Sequence, residues 1–212
     1  MPSNPSSSAP RPTAAPATTG RLAAILTLVA AVTFGTTTTP AQADPNPPAE
    51  QVQLVRWVCS EMDLRKPLCD VVQSSLWAAY ATADEVFPNQ SGADDQRDAL
   101  RHCVWQGLMT TKMWGNDWLA RALGAIHEAD AVPDALKGVV SDTTRMDVFN
   151  NTVAQRAGHT RTDKQIIAFC IDRAKNAVPI THEQARALDL DNARDYLVYL
   201  QPHKAGRARG AA

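Results

Sequence analysis

Apolar side chains recur every three or four residues through most of the chain between residues 50 and 200, and this spacing constrains the fold more than any other feature. The spacing is typical of helices that bury one face. Alternating apolar and polar residues, which would predict strands, do not form any convincing run. The sequence therefore predicts an all-α fold, a single compact bundle of about six to seven helices.

Proline, glycine and capping residues divide this region into segments. The first two segments carry apolar residues at 52–62 and 68–83, and the third spans 94–114 with Gly115 as its C-terminal cap. Asn116 or Asp117 can cap a fourth, and a fifth ends at Gly158. Thr162 with Gln165, and Thr181 with Gln184, have the spacing of capping boxes and predict two further helix starts. Residues 193–200 form a last amphipathic stretch, predicted to be helical.

The first 43 residues have the pattern of a targeting segment. Residues 2–19 are rich in Ser, Pro, Ala and Thr, Arg21 precedes an apolar run at 22–34, and Ala41 and Ala43 form an A-x-A site. This order predicts a secretory signal peptide cleaved after Ala43, and hence a secreted protein. The run is shorter than the roughly 20 residues needed to span a bilayer, so we expect no transmembrane helix in the mature chain. A retained anchor is the alternative.

The predicted organisation is a disordered N-terminal region with signal peptide at 1–43, a linker at 44–49, the all-α domain at 50–200 and a basic disordered tail at 201–212. The formal net charge is −1 for the whole chain, and cleavage would lower it by removing Arg11 and Arg21. This charge argues against a strong nucleic-acid footprint. The oligomeric state is not predicted.

All four cysteines follow the predicted cleavage site, and an even number in an oxidising compartment favours two disulfides. We favour Cys59 with Cys69, which would hold a tight turn between helices, and Cys103 with Cys170. The other two connectivities stay open. A zinc site built from the four cysteines is disfavoured because no C-x2-C pair is present.

Two clusters place histidine beside carboxylates. Asp98, His102 and Trp105 follow at helical spacing and share one face, so Asp98 can orient the imidazole of His102. In the second cluster, His127 and Glu128 come at the end of the fourth predicted helix. A buried hydrogen-bonded histidine, or a cation stabilising a helix C-terminus, would explain either cluster without function.

A third cluster follows Arg145. Asp147, Asn150 and Asn151 fall on one helical face, opposite an apolar line. Adjacent asparagines are poor helix formers but supply amide donors and neutral oxygen ligands. The alternative is that these residues cap the start of a helix.

The order R-H-x-x-W, H-E and M-D-x-x-N-N over residues 94–158 resembles an uncharacterised family of bacterial helical domains, found in secreted and toxin-like proteins. The family pattern has a small residue after R-H and a glycine shortly after N-N, where this chain has Cys103 and Ala154. The resemblance implies a polar site shared by three helices. It implies no activity, cofactor or substrate.

Arg101 with His102 also resembles small bacterial phospholipases A2. However, Cys103 stands where their calcium-binding aspartate follows the histidine, and no Gly-rich calcium loop precedes it. A convergent lipase-like or phosphodiesterase-like site stays open. The motifs of serine hydrolases, nucleotide-binding loops and zincins are absent from the sequence.

The leading hypothesis is a small exported hydrolase, metal-dependent with Zn or Ca, acting on a phosphodiester or ester in a small molecule, lipid, nucleic acid or envelope polymer. The expected catalytic residues are His102, His127, Asp98 and Arg101; the expected metal ligands are Glu128 and Asp147; and the expected substrate-binding residues are Asn150, Asn151 and Trp105. The alternative is a non-enzymatic secreted binding or structural module whose polar residues form a buried network. An open cleft would favour catalysis, and a sealed interior would favour the module.

Overall fold

The structure is a computed structural model and describes residues 46–115, 118–127 and 141–201. Within these ranges it contains seven helices, in agreement with the predicted all-α fold. The helices are α1 Ala49–Glu61, α2 Lys66–Val86, α3 Gln96–Lys112, α4 Trp118–His127, α5 Asp142–Gly158, α6 Asp163–Lys175 and α7 His182–Arg186. None of the described helices is long and apolar enough to cross a membrane.

Helix α3 forms the centre of the bundle and packs against α2, α5 and α6. Every residue of α3 from Arg97 to Thr110 is buried, except Arg101. A helix surrounded in this way has no solvent-facing side, so its polar side chains must find partners inside the protein. The centre of the fold therefore contains a polar region that is enclosed by helices.

Two glycines let the helices around α3 approach closely. A Cβ atom at Gly158 of α5 would lie 2.7 Å from the backbone oxygen of Gly107, and a Cβ at Gly107 would lie 2.5 Å from Cγ1 of Ile166 in α6. Such distances leave no room for a side chain larger than hydrogen. The glycines thus let the backbone of α5 reach that of α3, and let the Ile166 side chain of α6 pack against the α3 backbone.

Both expected disulfides are present, in the favoured connectivity. Cys59 and Cys69 join α1 to the first turn of α2, and Cys103 and Cys170 join α3 to α6 across the core. The capping boxes at Thr162 and Thr181 are also present. The disulfides and the caps fix where the helices begin and which of them are neighbours.

The prediction of a last helix at residues 193–200 is wrong. Instead, β1 (Val178–Ile180) pairs in parallel with β2 (Val198–Leu200). The backbone of Val198 is bound by the side chain of Asn150, at 2.9 Å and 3.0 Å, and Leu200 N donates to Asp94 O at 2.9 Å. These contacts hold the segment extended, so tertiary contacts override its local helical pattern.

Some predictions fall outside the described residues. They are the signal peptide at 1–43, the cap at Asn116 or Asp117, Glu128 as a metal ligand, and the basic tail after residue 201.

Candidate functional site

Polar side chains form two facing rows where α3 packs on α5. The row on α3 consists of Asp98, His102, Gln106 and Thr110, and the row on α5 consists of Asp147, Asn151 and Gln155. Members of each row are four residues apart, so each row follows one helical face. All seven are buried. Gln106, Thr110 and Gln155 were not predicted as site residues, although polar side chains at every fourth position after His102 and Asn151 are a signal that points to them.

Three groups that can bind a metal ion meet at one end of these rows. His102 Nε2 lies 3.7 Å from Asp98 Oδ1 and 3.5 Å from Asp147 Oδ1. One ligand atom from each residue lies within 4.8 Å of the other two. We call Asp98, His102 and Asp147 the His/Asp cluster. Residues separated by almost fifty positions are thereby placed at one point of the fold.

Asn151 fixes the orientation of the His102 ring. Its Oδ1 lies 3.1 Å from His102 Nδ1, and an amide oxygen can only accept, so Nδ1 donates the hydrogen bond. In the neutral ring, the lone pair is then on Nε2, which faces the two carboxylates. Metal-binding histidines are oriented by the same device.

Arg101 and the backbone determine the charge of Asp98. The Arg101 guanidinium binds Asp98 Oδ1, and Asp94 N donates to Oδ2 at 3.2 Å. Burial alone would raise the pKa of Asp98, but the positive charge of Arg101 and the proximity of His102 outweigh it and hold that pKa below its ordinary value. Asp98 is therefore ionised at neutral pH although it is buried.

His127 stands beside the cluster, against two aromatic rings. Its ring centre lies 5.4 Å from those of both His102 and Trp105. Burial, together with the neighbouring His102, lowers the pKa of His127 to about 3. The imidazole is thus neutral at neutral pH, with one nitrogen that donates a hydrogen bond and one that accepts.

A small cavity adjoins the cluster. Its volume is about 20 Å³, enough for a single water molecule. It is lined by Gln51, Leu76, Ala79, Tyr80, Asp98, Arg101, His102, Trp105 and His127. Tyr80 donates to Gln51 at 2.6 Å, and burial raises the pKa of Tyr80. Helix α1 therefore closes one side of this cavity.

The structure brings together most of the residues singled out from the sequence. Seven of them lie at the cavity or at the cluster: Asp98, Arg101, His102, Trp105, His127, Asp147 and Asn151. Asn150 does not, because its side-chain amide donates to Val198 O and accepts from Val198 N. Substrate contact stays only a prediction for Asn150. The alternative that these residues cap a helix start is wrong, since the N-cap of α5 is Ser141.

A family model described as a domain of unknown function, DUF6973, matches residues 68–179. The chain belongs to this family. The match runs from α2 into β1, so it contains the His/Asp cluster, Asn151 and His127, whereas α1 and β2 lie outside it. No curated protein and no solved structure matches the chain. The match thus agrees with the expected resemblance to an uncharacterised domain, and the family description assigns no chemistry to that domain.

Proposed function

We propose that this domain is a metal-dependent hydrolase that cleaves a phosphodiester or ester. The single observation that carries the proposal is the convergence of Asp98, His102 and Asp147, with ligand atoms within 4.8 Å of one another. Three protein ligands that leave a further coordination position free are typical of catalytic metal sites. The cavity beside the cluster provides space for a water at such a position.

The charges of the site favour a cation. With both carboxyl groups ionised, Asp98 and Asp147 would bring two formal negative charges to this buried region, and Arg101 brings one positive charge. One net negative charge in a buried place is costly unless a cation or a proton offsets it. A divalent ion would satisfy this requirement. Because calcium prefers six to eight oxygen ligands, the single imidazole favours zinc over calcium.

Each surrounding residue has a role in this proposal. A divalent ion held by the cluster would lower the pKa of a bound water and so supply a nucleophile. Asn151 keeps His102 Nε2 directed at the ion, and neutral His127 can exchange a hydrogen bond with water in the cavity. Arg101 supplies positive charge beside the cavity, where an anionic transition state would be stabilised.

In this proposal the hydrolase is an exported protein. Two disulfides, joining α1 to α2 and α3 to α6, are compatible with an oxidising compartment. The substrate would then be an extracellular small molecule, lipid or envelope component.

A second candidate is the non-enzymatic binding or structural module. The observation that favours it is burial, since the residues of the His/Asp cluster expose only 5–7% of their surface. The contact of Arg101 with Asp98 and the hydrogen bond from Gln155 to Gln106, at 2.9 Å, would then belong to a network that specifies how α3 packs on α5.

Metal analysis separates the two candidates. We expect about one equivalent of zinc in the oxidised chain purified without chelator, and its loss in His102→Ala and Asp147→Asn with helical circular dichroism unchanged. Asn151→Ala should weaken metal binding about 10- to 100-fold. The matched control is His182→Ala, because His182 also lies 3.2 Å from an aspartate, Asp142, and is not a member of the His/Asp cluster.

Two results would contradict the hydrolase. One is the absence of metal from the wild-type chain, with thermal unfolding unchanged by EDTA. The other is equal metal content in wild type and in His102→Ala. Either result, combined with lower stability of the cluster variants, would support the structural module.

A further inference from the structure

A second cavity lies beside the C-terminal end of α5. Its volume is about 480 Å³, within the range of small-molecule sites. It is lined by Val153, Arg156, Ala157, Arg161, Phe169, Arg194 and Asp195. None of these residues lines the cavity at the His/Asp cluster. The second cavity is thus a separate surface feature, and the proposed hydrolase chemistry does not use it.

Three arginines converge on this cavity from different parts of the chain. Arg156 comes from the last turn of α5, Arg161 from the turn before α6, and Arg194 from the segment before β2. No ion pair joins any of the three to a carboxylate in the described residues. Asp189, an acid of the same segment as Arg194, accepts hydrogen bonds from Asn192 and from backbone N–H groups, and it interacts with Arg156 only as a nearby charge.

Two of these guanidinium groups are held in place by the protein. Arg156 donates to the backbone oxygens of Asp191 and Ala193. Arg161 donates to Ala157 O at 3.0 Å and stacks on Phe169, with its guanidinium carbon 4.4 Å from the ring centre. A guanidinium has five N–H donors, so each group keeps donors for a ligand. Groups that are positioned before binding lose less entropy when the ligand arrives.

The charges and the apolar wall of the cavity indicate the chemical class of ligand that would fit it. Three guanidinium groups and the carboxylate of Asp195 give the lining a formal charge of +2. Val153, Ala157 and Phe169 add an apolar surface beside these charges. A phosphate monoester carries close to two negative charges above neutral pH and accepts the forked hydrogen bonds that arginine donates.

We propose that this cavity binds a small organic phosphate monoester, with the phosphate on Arg156, Arg161 and Arg194 and the organic group against Val153, Ala157 and Phe169. The assignment is independent of the proposed hydrolase, because the two cavities share no lining residue. A monocarboxylate would satisfy only half of the positive charge and should bind more weakly.

Calorimetric titration of the oxidised full chain with phenylphosphonate at pH 8 tests this proposal. Phenylphosphonate has the charge and shape of the monoester, and its P–C bond resists hydrolysis. We expect saturable binding with one site per chain, weaker binding of benzoate and none of phenol. Arg194→Ala and Arg161→Ala should each weaken binding about tenfold. Arg56→Ala is the matched control, because Arg56 is exposed on α1 and should leave the affinity unchanged.

Three results would overturn the proposal. The first is no saturable binding of phenylphosphonate at millimolar concentration. The second is an affinity that does not change in Arg194→Ala and Arg161→Ala. The third is binding that is lost in His102→Ala instead, which would place the ligand at the His/Asp cluster. Arg194 is exposed and its one hydrogen bond among the described residues is through its backbone oxygen, which alanine keeps, so its variant stays interpretable if Arg161→Ala is unstable.

Discussion

His127 shows how desolvation and a neighbouring imidazole change the chemistry of one residue. It ends α4 and packs against the rings of His102 and Trp105, where a positive charge would be poorly solvated. Its pKa of about 3 is far below the 6.5 of an exposed histidine. The folded chain therefore keeps His127 neutral at a pH where the unfolded chain protonates it.

This difference predicts how stability depends on pH. Between about pH 6.5 and pH 3 the unfolded state binds a proton that the folded state excludes, so the free energy of unfolding falls as the pH falls. The contribution of one such group approaches about 1.4 kcal/mol per pH unit. We expect denaturant titrations in EDTA at pH 7, 6 and 5 to show that the free energy of unfolding declines less with falling pH in His127→Asn than in the wild type. Equal declines would contradict a folded-state His127 that stays neutral.

The residues of the cluster were predictable to different degrees. Asp98 and His102 are four positions apart on one helix, so the sequence alone placed them together. Asn150 and Asn151 could not be told apart, because adjacent helical residues point about 100° apart and only the neighbouring elements decide their contacts. Asn151 faces His102, whereas Asn150 faces strand β2. Tyr80 was predicted as part of an apolar helical stripe but not as a neighbour of the cluster, since that position depends on how α1 and α2 pack over α3.

At the scale of elements, the packing of α5 on α3 depends on the absence of a side chain at Gly158. A Cβ there would lie 2.7 Å from Gly107 O and 2.9 Å from Thr110 Cβ. The first of these atoms is backbone and cannot move without shifting the helix. Alanine at this position would therefore push apart the two helices that carry the His/Asp cluster.

We expect Gly158→Ala to lower the free energy of unfolding by about 1–3 kcal/mol. Helix propensity acts in the opposite direction, since alanine in an unobstructed helix interior is favoured over glycine by about 1 kcal/mol. Ala168→Gly, at an exposed position of α6, measures that propensity in the same protein. Chemical denaturation of both variants checks the prediction. A neutral or stabilising Gly158→Ala would show that α3 and α5 are not in close contact.

Elements were predictable where the local pattern and the tertiary contacts agree. The capping boxes at Thr162 and Thr181 are short-range signals, and both start helices as expected. Strand β2 is different, because its extended form depends on Asn150, Asp94 and strand β1. A pattern within eight residues carries no information about such distant partners.

For the whole molecule, the two disulfides close loops of very different length. Cys59 and Cys69 are 10 residues apart, whereas Cys103 and Cys170 are 67 apart. The loss of entropy in the unfolded chain grows with the logarithm of loop length. Replacing both cysteines of a pair by alanine should therefore cost about 3 kcal/mol for the short loop and about 4 kcal/mol for the long loop.

Guanidinium unfolding of the two double variants measures this difference. The wild-type chain under the same non-reducing conditions is the reference. A larger loss for the Cys59–Cys69 pair than for the Cys103–Cys170 pair would contradict the entropic account. It would instead show that α1 is held to the bundle chiefly by its disulfide.

Strand β2 also has a consequence for the order in which the chain is assembled during synthesis. It is the last described element, and it holds both Asn150 of α5 and the backbone of Asp94, which precedes α3. A growing chain on the ribosome thus carries every described cluster residue about fifty positions before the segment that fastens their helices has been made. A nascent chain that has not reached residue 200 therefore lacks the hydrogen bonds that β2 makes with Asn150 and Asp94.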